Sequence, residues 1–218
     1  MKNPFEGLFS HKGKFIVFEG GEGSGKSTQA KLLLERLQKE GKDVIYTKEP
    51  GGTPVADKIR EIILYQNTEP VVPKTELFLL LASRAQHVTQ KIAPALKESK
   101  HVICDRFSGS TYAYQIGARK MPTGTFIEAM DAYARDGLEP DLVIFFDVDP
   151  EIGLARKKQG NEELNRLDKE ELDFHRKVRG HFKKLAKHND DNWVELDGSL
   201  PIQDLHVLVY DQVSKLLA

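Results

Sequence analysis

FEGGEGSGKST (18–28) is the stretch of this 218-residue chain that decides its fold. It has the spacing G-x-x-x-x-G-K-[ST] from Gly20 to Ser27. The apolar run KFIVFE (14–19) leads into it, and STQAKLLLERLQKE (27–40), with its leucines on one helical face, follows. In a strand–loop–helix of this kind, the N–H groups of the glycine-rich turn and the positive end of the helix dipole surround a phosphate. The stretch therefore predicts a nucleotide-phosphate cradle in an α/β protein.

The residues of this loop have separate expected roles. Lys26 is expected to reach the β- and γ-phosphates of ATP, Ser27 to ligate Mg²⁺, and Thr28 to contact the α-phosphate. A chance glycine-rich turn is the alternative, and the flanking strand and helix argue against it. The predicted ATP-binding set is Gly20, Gly21, Glu22, Gly23, Ser24, Gly25, Lys26, Ser27 and Thr28.

Apolar runs alternate with helical patterns along the rest of the chain. Strands are predicted at 14–19, 43–47, 101–105, 141–149 and 193–197, and helices at 27–40, 54–65, 74–98, 108–118, 123–136, 150–158, 169–188 and 201–217. Strands that are buried on both faces and separated by helices indicate a parallel sheet covered on both sides. The predicted fold is a three-layer α/β domain over 1–218, with about five parallel strands and a short lid at about 157–168.

The composition limits the possible functions. A formal net charge of -1 provides no basic field, so binding along a nucleic acid is not predicted. No apolar run approaches the roughly 18 residues of a membrane span, and the first residues lack the apolar core of a signal peptide. Cys104 is the sole cysteine, so no internal disulfide can form. We expect a cytoplasmic protein that binds neither nucleic acid nor a membrane.

Phosphate-binding loops of this type occur in switches, motors and kinases. A GTP switch would need an N-K-x-D motif, which the sequence lacks, and no further motor signature is present. A small-molecule kinase needs a second cationic site within reach of the γ-phosphate. Asp105 and Arg106 follow the third predicted strand, where ligands of open α/β sheets bind. Asp105 can hold Mg²⁺ through water and Arg106 can clamp an acceptor phosphate. A strand-end salt bridge is the alternative.

The second site belongs to a longer series of motifs. FEGGEGSGKST (18–28), TKEPGGT (47–53), CDRF (104–107), STYAYQ (110–115) and NRLD (165–168) occur with the order and spacing seen in bacterial thymidylate kinases. The chain resembles that family from about residue 14 to about residue 180. The resemblance implies transfer of the γ-phosphoryl group of ATP to dTMP, giving dTDP and ADP for dTTP synthesis. It also implies a homodimer.

The resemblance assigns further residues to the acceptor nucleotide. Glu22 approaches the deoxyribose 3′-OH, and Glu49 also lines the site. Arg60 holds the acceptor phosphate, Arg106 bridges it to the γ-phosphate, and Arg84 contacts the thymine edge. Thr111 and Gln115 are the polar pair that reads the pyrimidine. Leu80 is the apolar side chain that forms a floor under the base.

The catalytic set implied by the resemblance is Lys26, Arg106, Arg156 and Asp105, with Ser27 and Asp105 at Mg²⁺. The loop carries no basic residue between Gly21 and Gly25, as in the subtype that supplies a catalytic arginine from the lid. Arg156 is the residue predicted for that role, because phosphoryl transfer depends on positioning and charge neutralisation. The alternative for Arg156 is a solvated surface charge.

Leu80 departs from the family pattern, which usually places a stacking phenylalanine at this position. Either Phe78 substitutes through a shifted register, or Leu80 supplies a plainer apolar floor. Two alternatives to a dTMP kinase therefore stay open. One is a kinase for another pyrimidine nucleotide such as dUMP, and the other is a regulator that binds nucleotides without transferring phosphate.

Several remaining polar residues suggest structural roles. Asp147 can approach Mg²⁺, but a turn or helix-capping role for Asp147 and Asp149 before Pro150 is equally expected. His175, His181 and His188 lack a third ligand at metal-binding spacing, so they are expected on the surface. Cys104 is expected in the core.

Overall fold

A five-stranded sheet is the centre of the computed structural model, which describes residues 12–65, 69–121, 125–160, 164–189 and 191–218. All neighbouring strands are parallel, in the order β2-β3-β1-β4-β5. They are β1 (Phe15–Gly20), β2 (Val44–Lys48), β3 (His101–Asp105), β4 (Leu142–Asp147) and β5 (Trp193–Asp197). The prediction of a five-stranded parallel sheet is confirmed, with strand ends shifted by one or two residues.

Helices cover both faces of this sheet. They are α1 (Lys26–Lys39), α2 (Pro54–Leu64), α3 (Pro73–His87), α4 (Ala93–Lys97), α5 (Ser108–Thr111), α6 (Thr125–Ala134), α7 (Pro150–Gln159), α8 (Leu172–His188) and α9 (Ile202–Leu217). The three-layer α/β architecture is therefore confirmed. None of the helices in the described part of the chain combines the length and the hydrophobicity of a membrane span.

The central strand β1 shows why both faces must be covered. Ile16 and Phe18 pack in a core that includes residues of α1 and α9, while Phe15 and Val17 point into the core on the opposite face. All four side chains are buried, and successive residues of a strand point to opposite faces. A strand that is apolar at every position therefore needs a helical layer on each side.

Two predicted helices contain π-helical segments. The predicted helix 74–98 is interrupted by Val88–Ile92 before α4, which carries Pro94. Pro94 lies in the first turn of α4, directly after the π segment, and proline has no N–H to continue the hydrogen-bond ladder of the preceding turn. The predicted helix 108–118 begins as α5 but continues as a π segment at Tyr112–Ala118. Short π segments inside helices are frequent at functional sites.

The structure resolves the interpretations of Asp147, Asp149 and His175. Asp147 forms an ion pair with α8, in which its carboxylate accepts hydrogen bonds from Arg179 at 2.6 and 2.9 Å, and it is Asp149 that stands at the N-cap of α7. Asp149 caps α7 by accepting from the N–H of Glu151 at 3.0 Å, as the capping hypothesis expected. The surface expectation for His175 is wrong, because it lies on the buried face of α8.

The other histidines and the cysteine agree better with expectation. His188 is exposed and His181 is partly buried, while Cys104 is fully buried in the core. The described residues contain no cluster of three or more His, Cys, Asp or Glu side chains that could hold a metal.

Candidate active site

A cleft of about 1000 Å³ opens at the carboxyl ends of β1, β2 and β3. This is the edge where parallel α/β sheets bind ligands. The predicted site residues line this cleft, apart from Gly20 and Gly21, whose carbonyl groups face Lys26. The lining residues are Glu22, Gly23, Ser24, Gly25, Lys26, Ser27, Thr28, Glu49, Arg60, Leu80, Arg84, Asp105, Arg106, Thr111, Gln115 and Arg156.

Lys26 lies folded over the glycine-rich loop. Its ammonium group donates to the carbonyl oxygens of Gly20 at 3.0 Å and Gly21 at 2.7 Å, and to the hydroxyl of Ser24 at 3.1 Å. Burial lowers the pKa of Lys26 to about 8. The loop therefore holds a buried cation beside the N-terminus of α1, where phosphate oxygens can take over its hydrogen bonds.

Ser27 and Asp105 meet at the start of α1. The Ser27 hydroxyl donates to the Asp105 carboxylate at 2.5 Å, which brings one residue of the loop to the end of β3. Two hard oxygen groups at this distance suit Mg²⁺, which typically binds one or two protein oxygens together with substrate phosphates. The residues present therefore fit the ion that the sequence predicts here.

Arg106 is held between the loop and α5 in an unusual backbone conformation. Its φ is 73°, a left-handed value that non-glycine residues rarely adopt without compensation. The guanidinium donates to the Gly20 carbonyl at 2.9 Å, to the Ser110 hydroxyl at 3.1 Å and to Glu22 at 2.8 Å. Three acceptors therefore fix the position of this cation, and one of them, the Gly20 carbonyl, also accepts from Lys26.

Glu22 is the carboxylate that faces Arg106 from the glycine-rich loop. Its carboxylate accepts from Arg106 and from the Tyr114 hydroxyl, each at 2.8 Å. Burial acts to raise the pKa of Glu22, but Arg106 and Lys26 outweigh it and bring the pKa down to about 2. Glu22 is therefore an anion within a cationic site.

Glu19 holds the residues around Arg106 in place, and it was not predicted from the sequence. Its carboxylate is fully buried and accepts from the N–H groups of Phe107 and Ser110 at 2.9 Å, and from the Ser110 hydroxyl at 2.6 Å. Burial raises the pKa of Glu19 to about 7, against the opposing effect of these bonds. A carboxylate that ends an otherwise apolar strand was the available signal.

A chain of buried ionic groups fixes Arg84, which is only 2% exposed. Its Nε donates to Glu49 at 2.9 Å, and its NH1 group pairs with Asp131 of α6. Burial acts to lower the pKa of Arg84, but Glu49 and Asp131 outweigh it, so the pKa is raised. His87 lies 3.1 Å from the second oxygen of Glu49 and 2.7 Å from the Thr47 hydroxyl. Thr47, His87 and Asp131 were not predicted from the sequence.

The part of the cleft lined by Leu80, Arg84, Thr111 and Gln115 is called the acceptor half below. Two of its buried polar atoms have no hydrogen-bond partner among the described residues. They are Thr111 Oγ1 and Gln115 Oε1, on side chains that are 1% and 2% exposed. A buried polar group without a partner is costly, and ligands commonly complete such groups. Both residues line the cleft, so a ligand bound beside them can supply the missing hydrogen-bond partners.

Leu80, rather than Phe78, faces the cleft. Leu80 lines it, whereas Phe78 is 53% exposed and is not among the lining residues. The shifted-register hypothesis is therefore wrong, because two residues of separation on α3 turn the side chains to different sides. Arg60 of α2 also lines this half and donates to the Pro50 carbonyl at 2.8 Å.

The predicted lid begins at the end of α7, and residues 161–163 lie outside the described part of the chain. Arg156 is exposed at the rim of the cleft, where it donates to the carbonyls of Gly198 at 2.7 Å and Ser199 at 3.1 Å. Arg166 lies on the acceptor side, where it donates to the Ile63 carbonyl at 3.1 Å. The two arginines therefore lie at different ends of the lid.

Helix α7 packs directly against the phosphate-binding loop through two glycines. A Cβ atom on Gly23 would overlap the Gly153 carbonyl, and a Cβ on Gly153 would overlap the Glu22 carbonyl. Gly23 also has a φ of 65°, which favours glycine. The distance from the loop to the helix that carries Arg156 is thus set by the absence of side chains.

Comparison of the sequence with those of known proteins places the chain in one family. Residues 18–209 match the model of the family described as thymidylate kinase. The chain is 46% identical to thymidylate kinase of Clostridium novyi (strain NT), covering 82% of this chain and 87% of the relative. It is 44% identical to that of Latilactobacillus sakei subsp. sakei (strain 23K), covering 88% and 90%. It is 42% identical to that of Geobacillus sp. (strain WCH70), covering 93% and 98%.

Proposed function

Because this chain belongs to the thymidylate kinase family, we propose a division of labour among its cleft residues for the reaction that defines the family. The chain is a dTMP kinase: it transfers the γ-phosphoryl group of ATP to dTMP, giving dTDP and ADP. One observation carries the assignment of the reacting centre. Lys26 and Arg106 reach the same carbonyl oxygen, that of Gly20, at 3.0 and 2.9 Å.

The donor side is the glycine-rich loop with Lys26. Its N–H groups and the N-terminus of α1 bind the β- and γ-phosphates of ATP, and Lys26 exchanges its loop carbonyls for phosphate oxygens. Ser27 and Asp105 are the residues that would hold Mg²⁺, which would supply charge neutralisation for the donor phosphates. Their contact at 2.5 Å supports this assignment.

The acceptor side binds dTMP through charge at one end and base recognition at the other. Arg60 holds the dTMP phosphate and Glu22 accepts from the deoxyribose 3′-OH. Arg84 contacts the thymine edge beside Glu49, while Thr111 and Gln115 read the pyrimidine through the unpartnered buried atoms described above. Leu80 provides the apolar floor under the base.

Transfer proceeds with the dTMP phosphate in line with the γ-phosphoryl group. The acceptor phosphate is already anionic, so no side chain has to act as a strong base. Arg106 bridges the two phosphates and Arg156 neutralises charge that is shared in the transition state. Closure of the lid at about 157–168 excludes water and limits the hydrolysis of ATP.

We also propose that the enzyme is a cytoplasmic homodimer. The adjoining elements α2, α3 and α6 each expose large apolar side chains: Val55 at 51%, Phe78 at 53% and Phe126 at 71%. Helix α3 packs against both α2 and α6, and exposed aromatic side chains on adjoining helices support this proposal because interfaces are enriched in aromatic residues. Light scattering after size exclusion is expected to give twice the 24.6 kDa chain mass, and Phe126→Asp is expected to give the monomer. A monomeric wild type would refute the dimer.

A coupled ADP-release assay with ATP and Mg²⁺ tests the activity against dTMP, dUMP, UMP, CMP, AMP and GMP. We expect a strong preference for dTMP and loss of turnover in Arg106→Ala. A preference for another pyrimidine nucleotide would keep the kinase and change its substrate. Binding of ATP and dTMP without ADP release would instead favour a nucleotide-binding regulator.

A further inference from the structure

Glu76 is a buried carboxylate in the acceptor half of the cleft that no sequence motif singled out. It is 1% exposed and lines the cleft from α3, one helical turn before Leu80. One of its oxygens accepts from Gln115 Nε2 at 2.8 Å and lies 3.5 Å from Arg119 Nε. The other oxygen pairs with Arg166 of the lid.

The contact with Glu76 determines which way the Gln115 amide faces. A carboxylate oxygen accepts hydrogen bonds, so the N–H₂ end of the amide must lie against it. The carbonyl end, Oε1, is then left buried without a partner in the described part of the chain, on a side chain that lines the cleft. A reversed amide would place two acceptors in contact and remove a hydrogen bond from Glu76.

A carbonyl oxygen that is fixed in this way can bind only a hydrogen-bond donor. The edge of thymine or uracil offers an N3–H donor next to the O4 acceptor. Cytosine offers a lone pair at N3 next to an amino group at C4, the reverse arrangement. Arg84 also lines the cleft, and its guanidinium, which donates and never accepts, suits O4 and opposes an amino group.

We propose that Glu76 is a specificity-determining residue, which orients the Gln115 amide so that the site accepts thymine or uracil and rejects cytosine. Glu76 acts as a positioning residue, because it touches Gln115 rather than the reacting atoms. This inference rests on the proposed base-reading role of Gln115. It deepens that role by naming the group that selects one of two amide orientations.

Glu76→Gln tests the inference because the new side chain can either donate or accept. The Gln115 amide can then reverse and offer its N–H₂ group to the N3 atom of cytosine. We expect the ratio of kcat/KM for dTMP to that for dCMP to fall about tenfold or more, the effect of one buried hydrogen bond. The ratio of dTMP to dUMP is expected to stay as in the wild type, since both bases carry N3–H and O4.

Glu170→Gln is the matched control. Glu170 pairs with the same two arginines, at 2.5 Å from Arg119 and 3.9 Å from Arg166, whereas the Gln115 side chain donates to Glu76. Loosening of the lid anchor in this variant is expected to lower turnover of dTMP and dCMP alike. A role of Glu76 that is only structural would give the same pattern in Glu76→Gln.

The outcomes separate the inference from the function on which it rests. A wild type that does not prefer dTMP to dCMP would refute base reading by this site. A wild type with that preference, and a Glu76→Gln variant with an unchanged ratio, would refute the role of Glu76 alone. If circular dichroism shows that Glu76→Gln does not fold, Glu76→Met also removes the acceptor and carries the same expectation.

Discussion

Replacing Gly153 with alanine perturbs the contact between α7 and the phosphate-binding loop. The added Cβ would lie well inside 3.0 Å of the Glu22 carbonyl oxygen, a separation that real Cβ contacts essentially never show. Because the obstacle is backbone rather than a flexible side chain, the loop or the helix has to move. Both carry proposed phosphate-binding groups, Lys26 on one side and Arg156 on the other.

Two opposing terms set the expected change in stability. Alanine is favoured over glycine in a helix interior by about 1 kcal/mol. Overpacking costs about 1–3 kcal/mol. The net loss of unfolding free energy is therefore at most about 2 kcal/mol, and a displacement of about 1 Å at the site can lower the rate about 100-fold. We expect kcat/KM for ATP to fall by about 10- to 100-fold while the protein stays folded.

Gly180→Ala on α8 is the matched control, since a Cβ there meets no atom within 4 Å. It is expected to raise the melting temperature by about 2–4 °C, as a gain of about 1 kcal/mol does in a protein of this size. Both variants are measured by thermal unfolding and by steady-state ADP release. Wild-type kcat/KM in Gly153→Ala would refute the argument that the bare glycine contact positions the loop.

Three further predictions concern single side chains. Burial raises the pKa of Glu19 from 4.5 to about 7, so the native state holds an extra proton between these values. The unfolding free energy of the wild type should therefore fall as pH rises through this range. Glutamine does not titrate, so urea unfolding of Glu19→Gln should show a smaller fall in unfolding free energy over the same pH range. Leu80→Phe should lower KM for dTMP about tenfold, because base stacking contributes about 1–3 kcal/mol, whereas Phe78→Leu should leave KM unchanged. Arg156→Ala should lower kcat about 1000-fold with little change in KM, and a loss no larger than that of Lys158→Ala would make Arg156 a solvated surface charge.

The fold was largely predictable because its signals are local. Strands β1 and β4 are almost entirely apolar, and the glycine-rich loop marks the junction of β1 with α1. The π segment at Tyr112–Ala118 was not predictable in the same way. An α-helix and a π segment place the same residues in a helical pattern, so periodicity over a few residues does not separate them.

The site was predictable where its residues lie in motifs next to strand ends, as Asp105 and Arg106 do. Glu19, Glu76 and Asp131 were missed because their partners come from distant parts of the chain, up to 91 positions away for Glu19 and Ser110. One signal was available for α3. Glu76, Ser83, Arg84 and His87 recur at helical spacing, which places polar groups on one buried face.

The buried pairs of Arg84 with Glu49 and Asp131 have an evolutionary consequence. Replacing the arginine alone would strand two carboxylates in the interior, and removing one partner of a buried pair costs about 3–5 kcal/mol. Such a loss is a large part of the total stability of a typical domain. A lineage changing one codon at a time would pass through an unstable intermediate, so the three positions are expected to diverge together or not at all.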